Sequence, residues 1–118
     1  MNGRVSGIIG EAEAYRFVQS IGMRPLCKNY RKQTGEIDLI CMDKDTIVFI
    51  EVKLRTSPKR GLPQEAVTPA KQRKIVKTAL MYLKEHRLSD VRMRFDVIAL
   101  EAGELTHIRS AFDATGMF

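Results

Sequence analysis

The sequence predicts an α/β fold, a mixed sheet flanked by helices with its elements in the order αβββαβ. Three observations carry this. A helical arc of apolar residues opens the chain, three extended segments follow in series between polar turns, and a second helical arc precedes one more extended segment. The chain has 118 residues, 44% of them hydrophobic, which fits one domain spanning 1–118 around one ordinary core.

Residues 7–21 read as the first helix. At about 100° per residue, Phe17, Ile21, Ala14, Val18, Tyr15, Ile8 and Ala12 form one broad arc. Gly22 stops it, as expected just past a helix C-terminus. Residues 24–33 form a cation-rich first strand that turns at Thr34-Gly35. Residues 36–42 form the second, with Ile37, Leu39 and Cys41 on one face and Glu36, Asp38, Ile40 and Met42 on the other.

Asp43-Lys44-Asp45 is a hairpin loop leading to the third strand, residues 46–55. That strand begins apolar on both faces, as a central strand does, and alternates apolar with charged from Ile50. Residues 57–69 hold Pro58, Gly61, Pro63 and Pro69 and mark a loop; loops of that length are often functional. Residues 70–87 form the second helix and bury Ile75, Val76, Ala79, Leu80, Tyr82 and Leu83. Residues 92–100 form a fourth strand, and a weak fifth spans 105–108.

No apolar run approaches the roughly 20 residues that cross a bilayer, and the N-terminus lacks the apolar core of a secretory signal. A cytoplasmic protein with no membrane association is expected. Cys27 and Cys41 lie among apolar residues, away from any ligand spacing, and read as reduced thiols. The net charge of +6 favours a polyanionic partner, because Lys and Arg displace counterions from phosphates. The cations cluster at Arg31 and Lys32, at Lys53, Arg55, Lys59 and Arg60, and at Lys71, Arg73, Lys74 and Lys77. Glu36, Asp38 and Glu51 lie between these clusters.

Glu51 and Lys53 are two residues apart on a strand and share a face. A salt bridge at an exposed strand end meets that spacing equally well, so the pair means little alone. Asp38 changes this. It and Glu51 are equidistant from the hairpin centre, so they are expected directly opposite each other on adjacent strands. Two carboxylates that close repel unless a cation or a proton intervenes. Mg²⁺ suits them: it takes one or two carboxylates, several waters and phosphate oxygens. Glu11, central in an apolar helical arc, needs a partner there. It either reaches a metal or a buried cation, or caps backbone amides or pairs with an arginine; the residues alone leave both open.

These residues resemble a known pattern. Gly35-Glu-Ile-Asp-Leu-Ile40 followed by Phe49-Ile-Glu-Val-Lys-Leu-Arg55 resembles the Asp…Glu-x-Lys signature of the restriction-endonuclease-like, or PD-(D/E)xK, superfamily. More closely, the chain resembles the YraN family of small bacterial proteins, through Gly10-Glu-Ala-Glu-Ala14, Asn29-Tyr-Arg31, 35–40, 49–55, 71–75 with Ala79 and Tyr82-Leu83, and Arg94-Phe-Asp-Val97. Ile37 stands where the superfamily's name has proline.

The resemblance implies an αβββαβ core like that of archaeal Holliday-junction resolvases. It also implies Asp38 and Glu51 as ligands of Mg²⁺ or Mn²⁺, Lys53 as the catalytic lysine, and Glu11 as a matching helix glutamate. The function expected is therefore a metal-dependent nuclease acting on DNA, branched or single-stranded, in which the metal activates a water and stabilises charge on the phosphate. Arg31, Arg55, Lys59, Arg60, Lys71, Gln72 and Lys74 are the expected nucleic-acid contacts. The composition serves RNA as well as DNA, and a homodimer is expected by analogy alone. The competing reading is a catalytically silent nuclease fold that binds nucleic acid or a protein. Asp96 is read as a structural partner of Arg92 or Arg94 in preference to a further acid of the site, and His86 and His107 as structural or solvated.

Overall fold

The computed structural model describes residues 3–55, 67–101 and 103–114. Helix α1 (Gly3–Ser20) leads into strands β1 (Arg24–Lys32), β2 (Gly35–Asp43) and β3 (Thr46–Arg55). Helix α2 (Pro69–Glu85) then precedes β4 (Arg92–Glu101) and β5 (Glu104–Phe112). The strands form one sheet in the order β1-β2-β3-β4-β5. β3 and β4 are parallel and the other neighbours antiparallel, so the sheet is mixed as expected. A parallel pair needs a crossover, and α2 supplies it.

Local chemistry sets the helix ends. Gly22 takes φ 91°, its amide donates to Gln19 O at 3.1 Å, and the Met23 amide donates to Val18 O at 2.9 Å. That is the six-to-one and five-to-two closure of a glycine-capped helix end, with Met23 buried beside Val18. At α2, Thr68 caps the first turn by accepting from the Lys71 amide at 3.2 Å, and Pro69 fills the first helical position.

The two helices cover opposite faces of the sheet. Ala14 and Val18 of α1 pack with Leu39, Cys41, Val48, Ile50 and Ile98. Ile75, Val76, Ala79, Tyr82 and Leu83 of α2 pack with Ile40, Ile47, Phe49, Phe95 and Val97. The α1 arc is narrower than its apolar periodicity suggests, since Ala12 is exposed and Ile21, past the helix end, is 46% exposed. On α2, Thr78 joins the buried set, donating to Lys74 O at 2.8 Å and bonding Thr34 Oγ1 at 2.7 Å.

One face assignment is corrected. Ile37 was expected beside Leu39 and Cys41, but it packs with Ile40 on the α2 side. The alternation slips around Asp38. There the β2–β3 ladder has ended, at Leu39↔Ile50, while β2 stays paired to β1 as far as Lys32↔Gly35. On β1, Asn29 takes the left-handed φ of 53° between the pairs Lys28↔Leu39 and Tyr30↔Ile37. Lys28 therefore lies over Tyr15 of α1, whereas Tyr30 turns with Ile37 into the α2 core. The sheet splits at this point.

β5 runs for nine residues against the four expected, because Asp96 satisfies its polar groups across the sheet. Asp96 is fully buried. Its Oδ1 accepts from the Ser110 amide at 2.9 Å, its Oδ2 lies 2.8 Å from His107 Nε2, and Arg94 Nε reaches both oxygens at 3.1 and 3.2 Å. Arg94 also bonds Asp43 at 2.8 Å. Burial alone would raise the Asp96 pKa, but His107, Arg94 and the amide outweigh it and hold the carboxyl below its usual value. Asp96 is thus the structural partner of Arg94, on the α1 side, where Phe17 meets His107 edge-on.

Candidate active site

The split between β2 and β3 builds the site. Continuing the register past Leu39↔Ile50 brings Asp38 opposite Glu51, one step beyond the last formed pair. With no ladder partner from β2, the Val52 amide donates instead to Asp38 Oδ2 at 2.8 Å, which fixes the carboxylate in the opening. β3 beyond this point is held from its other side by β4, through Glu51↔Val97 to Arg55↔Glu101. The carboxylates therefore stand on rigid strands at the mouth of a cleft.

The cleft has a volume of about 370 Å³ and lies on the α2 side. Gly35, Glu36, Asp38, Glu51, Thr68, Ala70, Lys71, Lys74 and Ile75 line it. Gly35 takes φ 151°, and a Cβ there would lie 3.3 Å from Thr78 Oγ1 and 3.5 Å from Lys74 Cβ, so its bareness lets β2 start close against α2.

Glu51 is 7% exposed. Its Oε1 lies 3.4 Å from Lys71 Nζ, and its Oε2 is buried and meets no donor while Asp38 is ionised. Burial, then hydrogen bonding with Glu51 and the charge of that neighbour, push the Asp38 carboxyl up to about 8, against the pull of the Val52 amide. Lys53 stands beside the pair. Burial, then the neighbouring Lys71 and its charge, bring it below the usual lysine value. Burial acts on Lys71 in the same direction, but the neighbouring Lys53 and the charges of Glu51 and Asp38 raise it above.

Glu11 flanks this group from the α1 side, in a separate cleft with Tyr15, Lys28 and Asn29. Burial and the charge of Asp38 raise its carboxyl, and a hydrogen bond from Asn29 opposes them. Among the described residues, no three His, Cys, Asp or Glu side chains converge into one ligand set. The acidic centre is the pair Asp38–Glu51, with Glu11 close enough to be felt electrostatically.

The sequence-predicted residues thus fall into three groups. Asp38, Glu51, Lys53 and Lys71 come together, with Lys74 on the rim and Glu11 to one side. Arg31 is exposed and paired with Glu36 at 3.1 Å, and Gln72 turns its amide to Val67 O at 2.9 Å, tying down the residue before the α2 cap. The Arg55 side chain, Lys59 and Arg60 lie outside the described residues. Lys71, an expected nucleic-acid contact, lies beside Glu51. Its place at the start of the second helix was legible in the sequence; its approach to Glu51 depends on how α2 docks.

The chain compares with known proteins along most of its length. The model of the Uncharacterised protein family UPF0102 matches residues 10–100. A UPF0102 protein of Lachnoclostridium phytofermentans is 42% identical over 117 residues, covering 98% of this chain and 99% of the relative. Another, of Syntrophus aciditrophicus, is 46% identical over 112 residues, covering 92% and 88%. A third, of Geotalea daltonii, is 45% identical over 112 residues, covering 91% and 88%. On this agreement across nearly the whole chain, the protein belongs to the UPF0102 (YraN) family.

Proposed function

We propose that this protein is a metal-dependent phosphodiesterase acting on DNA, built on a restriction-endonuclease-like core similar to that of Holliday-junction resolvases. One observation carries the reading. Two carboxylates meet at a break in the sheet, one of them with a buried oxygen that meets no donor while its neighbour is ionised, and two lysines stand beside them.

The donor set fits a hard divalent cation. Asp38 and Glu51 offer oxygens only, and the orphaned Glu51 Oε2 is a buried acceptor that wants a cation or a donor. Asp38 and Glu51 would hold Mg²⁺ or Mn²⁺, with Glu11 contributing from the α1 side. Such an ion supplies Lewis acidity at a phosphate oxygen and lowers the pKa of water. Lys53, close enough to both acids and to Lys71 to feel their charge, orients the attacking water or steadies charge on the scissile phosphate. Lys74, on the rim, grips a flanking phosphate and positions the backbone without reading sequence.

The test is an activity screen on single-stranded, duplex and branched DNA, each with Mg²⁺ and Mn²⁺, run beside Asp38→Ala. Cleavage by the wild type that the variant lacks is the expected result. Equal residual cleavage in both would mark a contaminant, and none from the wild type on any substrate would leave a binding module.

A further inference from the structure

The Lys71–Glu51 contact has a role beyond holding α2 to the sheet. We infer that the Lys71 ammonium is a resident stand-in cation, which occupies the charge position beside Glu51 until a divalent ion displaces it and then serves the substrate phosphate. The inference rests on the proposed metal-dependent reading and deepens it.

Four observations support it. Lys71 Nζ is 3.4 Å from Glu51 Oε1, nearer than a surface neighbour and looser than an ideal hydrogen-bonded pair. The Glu51 side chain is 8% exposed while that of Lys71 is 39% exposed, so the acid is fixed and the lysine has solvent into which it can swing. The other Glu51 oxygen is buried and meets no donor while Asp38 is ionised, so the ammonium then leaves half of the carboxylate unsatisfied. Lys71 and Lys74 are three residues apart in the first turns of α2, on one side of the helix, and both line the cleft.

A divalent ion brought to Asp38 and Glu51 would meet oxygens of both acids, whereas the Lys71 ammonium meets one oxygen of Glu51. It also repels that ammonium, since two cations cannot share so confined a site. Lys71 then turns along the cleft toward Lys74, where the pair presents two donors to a phosphate diester. The lysine therefore opposes metal binding and favours binding of the nucleic acid. A lysine serving only as a tether would favour both.

Mn²⁺ affinity measured calorimetrically on the intact protein, without DNA, separates these roles. Wild type, Asp38→Ala, Lys71→Met and Lys71→Arg are compared. Lys71→Met should bind Mn²⁺ about 10-fold more tightly than wild type, because a competing charge is gone. With metal present, its affinity for a DNA oligonucleotide should fall. Lys71→Arg keeps the cation and should leave Mn²⁺ affinity near that of wild type, which controls for folding. Unchanged or weaker Mn²⁺ binding by a folded Lys71→Met, alongside loss of binding in Asp38→Ala, overturns this inference and spares the metal site. Absence of Mn²⁺ binding by the wild type overturns both.

Discussion

Asp38 accepts the hydrogen bond of the Val52 amide at 2.8 Å, taking with its side chain the place that a β2 carbonyl holds elsewhere in the ladder. One residue thereby marks the end of the β2–β3 pairing and directs a carboxylate at Glu51. Backbone geometry and acid chemistry are coupled at this position.

Stability of the metal-free protein should fall as pH rises from 4 to 8. The folded-state pKa of Asp38 is raised to about 8 from 3.8 in the unfolded chain, so the native state holds a proton that the unfolded chain releases. Its contribution is complete below pH 4 and lost as pH passes through 8. Thermal melts should show a Tm drop of a few degrees across that range, smaller in Asp38→Asn. Adding Mn²⁺ at pH 8 should reverse it in the wild type only.

The Asp96 network acts on the acid side. Its carboxyl is held below 3.8, so its stabilisation is present above about pH 4 and lost as pH falls below that. Asp96→Ala would strand Arg94, His107 and the Ser110 amide. Breaking a buried pair by removing one partner costs about 3–5 kcal/mol. Urea titration at pH 7 should show a loss of that size; a loss under about 1 kcal/mol would mean that solvent enters the network freely.

DNA affinity should decline steeply with salt and depend little on sequence, because the proposed contacts are to phosphates. Lys74→Glu should lower the slope of log K against log salt by about one contact's worth. Fluorescence anisotropy at several salt concentrations measures this. Lys59 and Arg60, which lie between β3 and α2 in sequence, should behave in the same way on reversal. A strong preference for one duplex sequence would count against the scheme.

Asp38→Ala and Glu51→Ala should each abolish metal-dependent cleavage yet leave DNA affinity in the absence of metal intact or increased: Glu51→Ala removes a negative charge from the phosphate's path, and Asp38→Ala removes one above about pH 8, where that acid is ionised. Lys53→Ala should also abolish turnover, and weaken binding as a lost cation. Cleavage and binding are to be measured on the same preparations. Affinities that follow net charge alone, with no cleavage from the wild type, would favour the binding module.

Much of this fold was legible in the sequence. The hairpin centre between Lys44 and Asp45 dictated that Asp38 would oppose Glu51, and the register agrees through every formed pair from Asp43↔Thr46 to Leu39↔Ile50. Ile47 and Phe49 share the α2 core, as expected for one face of a strand. Apolar periodicity and the Gly22 stop located α1 to within a few residues, and the apolar arc from Ile75 to Leu83 located α2 at 70–87 against the observed Pro69–Glu85.

What the sequence by itself determined was local: period, parity and turn symmetry act between residues near in the chain, and they suffice to set two acids opposite each other. Tertiary structure decided the rest. The slip that sends Ile37 to the α2 face and opens the sheet at Asp38 depends on β1 pairing, and on the left-handed turn of Asn29 within it. The length of β5 depends on Asp96 satisfying its polar residues across the sheet. The approach of Lys71 to Glu51 depends on how α2 docks against β2 and β3. These are contacts between residues distant in sequence, whose energies come from burial and pairing in three dimensions, and no local pattern encodes them.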